Sequence, residues 1–183
     1  ANTDVTLTNT GLVTGDIYST SATPLKINGG TTTTGTLTGI NGIGTITSSR
    51  SDVVFGTGSV LLDDHVIASA VMNDAASLQV NNHITISGDY HQKAAATLIS
   101  GISDLTTLGD ELIADTGYGR LNVTGNAIVD AGSNVKLLRT GSTYRFAEGQ
   151  RYVVISAAGA DTDYNAENLN YQAVGYNGAV TGA

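Results

Sequence analysis

Asp63-Asp64-His65 is the densest group of titratable side chains in this 183-residue chain. Paired carboxylates facing a groove can cleave glycosidic bonds, one protonating the leaving oxygen while the other assists attack. Adjacent residues of a strand point to opposite faces, however, so Asp63 and Asp64 converge only if a corner of the chain turns them. A solvated corner is the simpler reading. Asp110-Glu111 reads as a polar loop. His83 follows a polar pair as His65 does, and His91 follows the start of a strand; three scattered histidines suit a surface better than a metal site. Gly29-Gly30-Thr31 lacks the lysine of a phosphate loop, and neither a Gly-Gly-x-Gly-x-Asp calcium repeat nor a Gly-x-Ser-x-Gly elbow occurs. The sequence therefore assigns no catalytic residue, no cofactor and no metal ligand, and the chain is read as other than an enzyme.

The elements that would position these side chains follow from composition. Charged residues make up 13% of the chain, with 23 glycines and one proline, and Thr, Ser, Asn and Gly fill the first third. Thr and Val suit a pleated surface, while Gly and Asn suit tight turns. An all-β chain is expected, long enough for one compact domain or one elongated array.

A formal net charge of −8 with eight Lys and Arg argues against nucleic acid and against anionic lipid, since both need a basic stripe. Without cysteine there is no disulfide and no thiolate metal site. Acidic, cysteine-free, Thr/Asn/Gly-rich β chains suit bacterial surface proteins that cross an oxidising periplasm. No apolar run approaches a membrane helix, and the alternating segments of a membrane barrel are missing, so no direct membrane insertion is expected. The start Ala-Asn-Thr-Asp reads as that of a piece of something longer.

Repetition gives the architecture. Leu78, Val80, Ile84 and Ile86 have the spacing of Leu121, Val123, Ala127 and Val129, 43 residues on, and of Val60, Leu62, Val66 and Ala68, 18 residues back. Each copy reads as strand, polar corner, strand, stacked coil upon coil with the 43-residue step spanning two coils. Around Leu98 the pattern changes to Ile102, Leu105, Leu108 and Leu112, so Ser100–Gly117 is read as an insertion. Between Thr31 and Thr47, Leu37, Ile40, Ile43 and Ile46 recur at a spacing of three and fit narrow turns or a loosely specified strand. The last third is richer in aromatics, and Tyr144–Phe146 and Arg151–Ser156 flank Ala147-Glu148-Gly149-Gln150 as a hairpin would. An array of parallel strands needs such a cap at its exposed end.

Three stretches carry a resemblance: Gly88-Asp89-Tyr90-His91-Gln92 leading to Ala96-Thr97-Leu98, then Leu121-x-Val123-x-Gly125-x-Ala127, then Gly149-x-x-Tyr152-x-Val154. They resemble the C-terminal passenger region of bacterial autotransporters (type V secretion), the pertactin-like stem with its autochaperone, over roughly residues 88–159. The 100–117 insertion departs from that family, which has a short loop there. The resemblance implies a right-handed parallel β-helix of about three short strands per coil with a C-terminal β-hairpin cap. Coils would occupy residues 1–87, and later coils with the autochaperone-like cap 88–183, as one continuous solenoid. It implies a folding nucleus carried by Tyr90, Leu121, Val123, Gly125, Ala127, Gly132, Tyr144, Phe146, Gly149 and Tyr152. It also implies the same polypeptide's C-terminal β-barrel translocator as partner and a place on the cell surface, outside the bacterial outer membrane, as the stem of an adhesin-like protein with ligands on host or neighbouring cells. Two other readings stay open: a self-associating or glycan-binding β-helix module, and a fragment of a glycan-degrading β-helix enzyme using Asp63 or Asp64.

Overall fold

The computed structural model describes residues 4–183, so the first three residues of the expected 1–87 segment lie outside the described residues. Apart from two short 3-10 turns at Leu112–Ala114 and Ala166–Asn168, the regular structure is β, joined in one large and almost wholly parallel sheet.

The strands fall into three ladders. The first contains β1 (Val5–Thr8), β4 (Leu25–Asn28), β7 (Val53–Phe55), the end of β8 (Ser59–Asn73), the end of β10 (His83–Gln92) and β14 (Ala127–Val129). The second contains β2 (Leu12–Thr14), β5 (Gly35–Thr38), the start of β8, β9 (Ser77–Val80), β11 (Thr97–Thr107), β15 (Asn134–Arg139) and β17 (Asn170–Ala173). The third contains β3 (Ile17–Ser19), β6 (Gly44–Ser48), the middle of β8, the start of β10, β13 (Arg120–Val123) and β16 (Ile155–Ala157). The chain visits first, second and third ladder in the same cyclic order, apart from an antiparallel arm before residue 120 and a last pass through the first ladder reduced to the Ile128–Asp163 bridge.

Each ladder stacks like upon like. Leu25, Val53, Val71, Tyr90 and Ala127 are successive partners in the first ladder, and Val60, Leu78, Leu98 and Val135 in the second. In the third, Ile46, Val66, Ile86 and Val123 follow one another. All are buried, and alternate residues point outward, so a thin apolar column runs behind each ladder. One core cluster extends from Leu25 to Ala127, and a second gathers Ile102, Tyr118, Leu137 and Ala173.

The stacking corrects the repeat register. Leu121 sits on Ile84 and Val123 on Ile86, a step of 37 residues (121 − 84), while Leu78 is followed by Leu98. The 43-residue match joins residues of different ladders that share only a two-residue alternation. The 18-residue step holds for Val60 and Leu78, but Val66 lies opposite Ile86, 20 residues on (86 − 66).

Leu98 keeps its place in the second ladder, pairing with β15 continues through Ile102, and the chain departs only beyond it. There β11 runs on into an arm that returns through the 3-10 turn at 112–114 and pairs antiparallel with β12 (Thr116–Tyr118), Ile102 opposite Tyr118. In the 31–47 stretch Leu37 and Ile46 are inward and fully buried, whereas Ile40 and Ile43 lie exposed in a turn closed by a Gly39–Gly42 bridge.

The expected C-terminal β-hairpin does not form. The turn at 147–150 is present, with the Gln150 amide donating to the Ala147 carbonyl at 3.4 Å, but no antiparallel ladder flanks it among the described residues, and Ile155–Ala157 pairs in parallel with β13. The physical reason is competition for Val153: its amide donates to the Tyr118 hydroxyl at 2.9 Å and its carbonyl accepts from Arg120 Nε at 2.8 Å. A hairpin partner would need those same groups.

Ile86 lies between Val66 and Val123 with no exposed surface. Ile86→Ala is expected to destabilise the chain by about 2–5 kcal/mol in guanidinium unfolding, from lost burial plus the cavity left behind. Ser87→Ala, on the outward face of the same strand, is expected to change stability by less than about 0.5 kcal/mol.

Candidate functional site

The Asp63-Asp64-His65 corner does not converge, and it is not the solvated corner expected from the sequence, because the chain runs on through it as one strand whose alternation buries Asp64. Asp63 faces outward and its carboxylate accepts hydrogen bonds from Thr38 Oγ1 and Asn82 Nδ2, both at 2.8 Å. Asp64 faces inward, is fully buried beside Gly44, and neither of its oxygens has a hydrogen-bond partner. Burial, with a smaller contribution from the charge of Asp63, pushes its carboxyl up to about 6. His65 Nδ1 accepts from the Thr85 amide at 2.9 Å, which leaves its proton on Nε2.

The histidines do not share a site. Thr85, not His83, lies beside His65, so their corners are not equivalent; His83 pairs with Arg120. Burial and the Arg120 charge lower the His83 pKa, and its ring meets Tyr118 edge-on. His91 pairs with Asp130 at 2.8 Å on the surface, and Asp110 and Glu111 are exposed at the tip of the arm. Among the described residues no three His, Asp or Glu side chains gather as a metal site.

The dense constellation lies instead where the arm meets the end of the ladders. Tyr118 and Arg120 leave β12 and β13 pointing inward and are almost wholly buried. The Tyr118 hydroxyl donates to Asp115 Oδ2 at 3.1 Å and accepts from Arg120 Nη2 and the Val153 amide, both at 2.9 Å. Asp115 Oδ1 takes the Gly109 amide at 2.8 Å. Arg120 also donates to the carbonyls of Leu112, Ile113 and Val153, so that four of its five N–H groups are bonded, and its guanidinium carbon lies 5.5 Å from the centre of the Tyr118 ring. A buried guanidinium is tolerated only when its donors are met, and here three chain segments meet four of them. The network therefore acts as a clamp: it ties the arm to the third ladder and to the segment after the 147–150 turn.

Aromatic rings extend the clamp. Tyr152 packs edge-on against Tyr118 at 5.2 Å and against Phe146 at 6.4 Å, Tyr144 packs on Phe146 at 6.0 Å, and the Tyr144 and Tyr152 hydroxyls lie 2.6 Å apart. Burial raises the Tyr118 and Tyr152 pKa values, which keeps both hydroxyls protonated as donors. Asp104 pins the neighbouring loop by accepting the amides of Ser142, Thr143 and Tyr144 at 2.8–3.1 Å, and those bonds lower its pKa.

Of the residues expected to carry folding, the structure gathers Tyr144, Phe146 and Tyr152 in this cap. Tyr90, Leu121, Val123 and Ala127 stand in the main core, where the Tyr90 hydroxyl donates to the buried Gln92 at 2.9 Å. Gly125 allows a close approach, since a Cβ there would run into the Asp89 carboxylate, while Gly132 and Gly149 occupy turns at φ of +87° and +88°. Tyr118, Arg120, Asp115 and Tyr176 were not singled out by spacing. An acid, an aromatic and a cation within six residues, 115–120, was the available signal.

Asp64→Asn is expected to raise stability at pH 8 by about 2–3 kcal/mol and to leave it nearly unchanged at pH 4. The sign follows from a folded pKa raised above the ordinary 3.8: the folded state is favoured while Asp64 is neutral and loses that advantage as pH climbs from 4 through 6. Denaturant midpoints across that range check it. Tyr118→Phe, which strands Asp115, Arg120 and the Val153 amide, is expected to cost about 1–3 kcal/mol, whereas Tyr18→Phe, at an exposed position, is expected to be silent. No family model matches this chain, and no match is found among curated proteins or solved structures.

Proposed function

We propose that the chain is part of a right-handed parallel β-helix belonging to the passenger of a bacterial autotransporter, and that its C-terminal part serves as folding nucleus and stem. The observation that carries this reading is the fixed cyclic order of the three ladders, ending against the Tyr118–Arg120 clamp. Parallel strands joined by crossovers take the right-handed path in nearly all cases, and three ladders entered in rotation are what winding about one axis produces.

The clamp supports the nucleation part. A coil gains backbone partners only from the coil before and the coil after, so the first coil to form has the highest cost and the fewest contacts. Residues 102–154 lower that cost by adding buried rings and a hydrogen-bonded guanidinium, contacts that no single coil makes. In this reading the segment lies outside the outer membrane, its barrel translocator belongs to the same polypeptide, and the chain does no chemistry of its own.

Guanidinium unfolding followed by far-UV circular dichroism of fragments 77–183 and 1–76 tests the nucleus. The C-terminal fragment is expected to unfold cooperatively by itself, and the N-terminal fragment to gain strand signal only when joined to it. A stable 1–76 beside an unfolded 77–183 would overturn the nucleation role and with it the stem reading.

A further inference from the structure

The chain has eight Lys and Arg against sixteen Asp and Glu, yet Arg139 and Arg145 line one open cleft of about 510 Å³ together with Phe146 and Tyr176. Backbone carbonyls hold both guanidiniums. Arg139 donates Nη1 to Tyr144 at 3.0 Å, and Arg145 donates Nη1 to Ser142 at 2.8 Å and to Tyr144 at 3.0 Å. Neither meets a carboxylate: the ion pairs among the described residues are His91–Asp130 and Lys93–Asp74. Asp104, the acid that reaches this loop, has both oxygens occupied by the 142–144 amides. Nε and Nη2 of both arginines therefore remain without a protein acceptor.

A positioned guanidinium with a free edge matches a carboxylate, whose two oxygens accept two parallel N–H bonds. The aromatic side of the cleft adds a second requirement. Phe146 and Tyr176 lie 6.4 Å apart at 59°, an apolar wall beside the cations, and a cleft that joins apolar wall to a few fixed polar groups selects a ligand with both features. A uronic acid has them: a carboxylate on one edge of the ring and a face of C–H groups. The net charge of −8 opposes anions in general, so an anionic ligand needs a local pair of cations such as this one.

We propose that the cleft formed by Arg139, Arg145, Phe146 and Tyr176 binds a carboxylate-bearing saccharide, a hexuronic acid unit, with its carboxylate on the two guanidiniums and its ring face on Tyr176. This site lies at the end of the second ladder, where Arg139 closes β15 and the 141–146 loop begins, and it does not depend on the autotransporter reading.

Isothermal titration calorimetry of the full chain with trigalacturonate tests it, with the neutral galactose trisaccharide of the same linkage and inorganic phosphate as comparators. Saturable binding of the uronate is expected, at least tenfold tighter than either comparator. Arg145→Gln is expected to weaken it about tenfold, the effect of one charge-assisted hydrogen bond, and Arg50→Gln to leave it unchanged. Absent binding at millimolar uronate, equal affinity for the neutral sugar, phosphate binding as tight as uronate, or an unaffected Arg145→Gln would each overturn the assignment. Should Arg145→Gln unfold, the Nε–H resonances of Arg139 and Arg145 in the unmodified protein decide: they move during the uronate titration, or the site is wrong.

Discussion

Every strand of this protein depends on another for its backbone hydrogen bonds. A strand of three or four residues such as Val53–Phe55 closes no bonds internally, so its N–H and C=O groups are met only by the strand before it and the strand after it in the same ladder. The side chains follow the same rule, because Ile86 buries its surface by lying between Val66 and Val123. Stability is thus passed from neighbour to neighbour, and the weakest positions are those where the stacked sequence is least alike. Asp64 over Gly44 is one such place, a buried carboxyl with no hydrogen-bond partner two residues from the Ile46–Val66 pair.

The same dependence explains why the polar interior is placed where it is. Asn73 accepts the Ala76 amide at 3.0 Å and donates to the Thr97 carbonyl at 3.2 Å; Gln92 donates to Ser133 and to the Asn134 carbonyl. These residues sit where the chain turns from the first ladder to the second, and turning leaves backbone groups that the ladders do not meet. Buried side-chain amides meet them at the cost of desolvation, a cost that satisfied hydrogen bonds offset. Ser100 does the same at the base of the arm, donating to the Gly119 carbonyl at 2.6 Å.

The sequence was legible where alternation was strong and backbone partners were local. The all-β class and the alternation that sets Asp63 and Asp64 on opposite faces could be read from it, but not that the inward face buries Asp64. Register was not, because a period of two is shared by every inward pair: Leu78 and Val80 match Leu121 and Val123 as well as they match their true neighbours, and nothing in the side chains distinguishes ladders. The hairpin was misread for a different reason. The residues flanking Ala147–Gln150 have hairpin composition, but Tyr118 and Arg120, more than thirty residues away in sequence, take both backbone groups of Val153, and a competition of that range leaves no local mark.

The two ends of the ladders differ in what meets the last exposed edge. At the β1 end, Val5 and Leu12 are among the exposed large apolar side chains, and β1, β2 and β3 each have a single ladder neighbour. At the β17 end, rings from Tyr118, Phe146, Tyr152 and Tyr176 stand over the second ladder, and the Tyr118 and Tyr152 hydroxyls meet polar partners. Aromatic rings suit that task, since a ring buries a large apolar area and a tyrosine hydroxyl can stay bonded. A parallel edge left bare invites further strands; an edge covered by rings, beside a guanidinium bonded to three chain segments, is shielded from them. The rings thus give the β17 end a side-chain cover that β1, β2 and β3 do not have among the described residues.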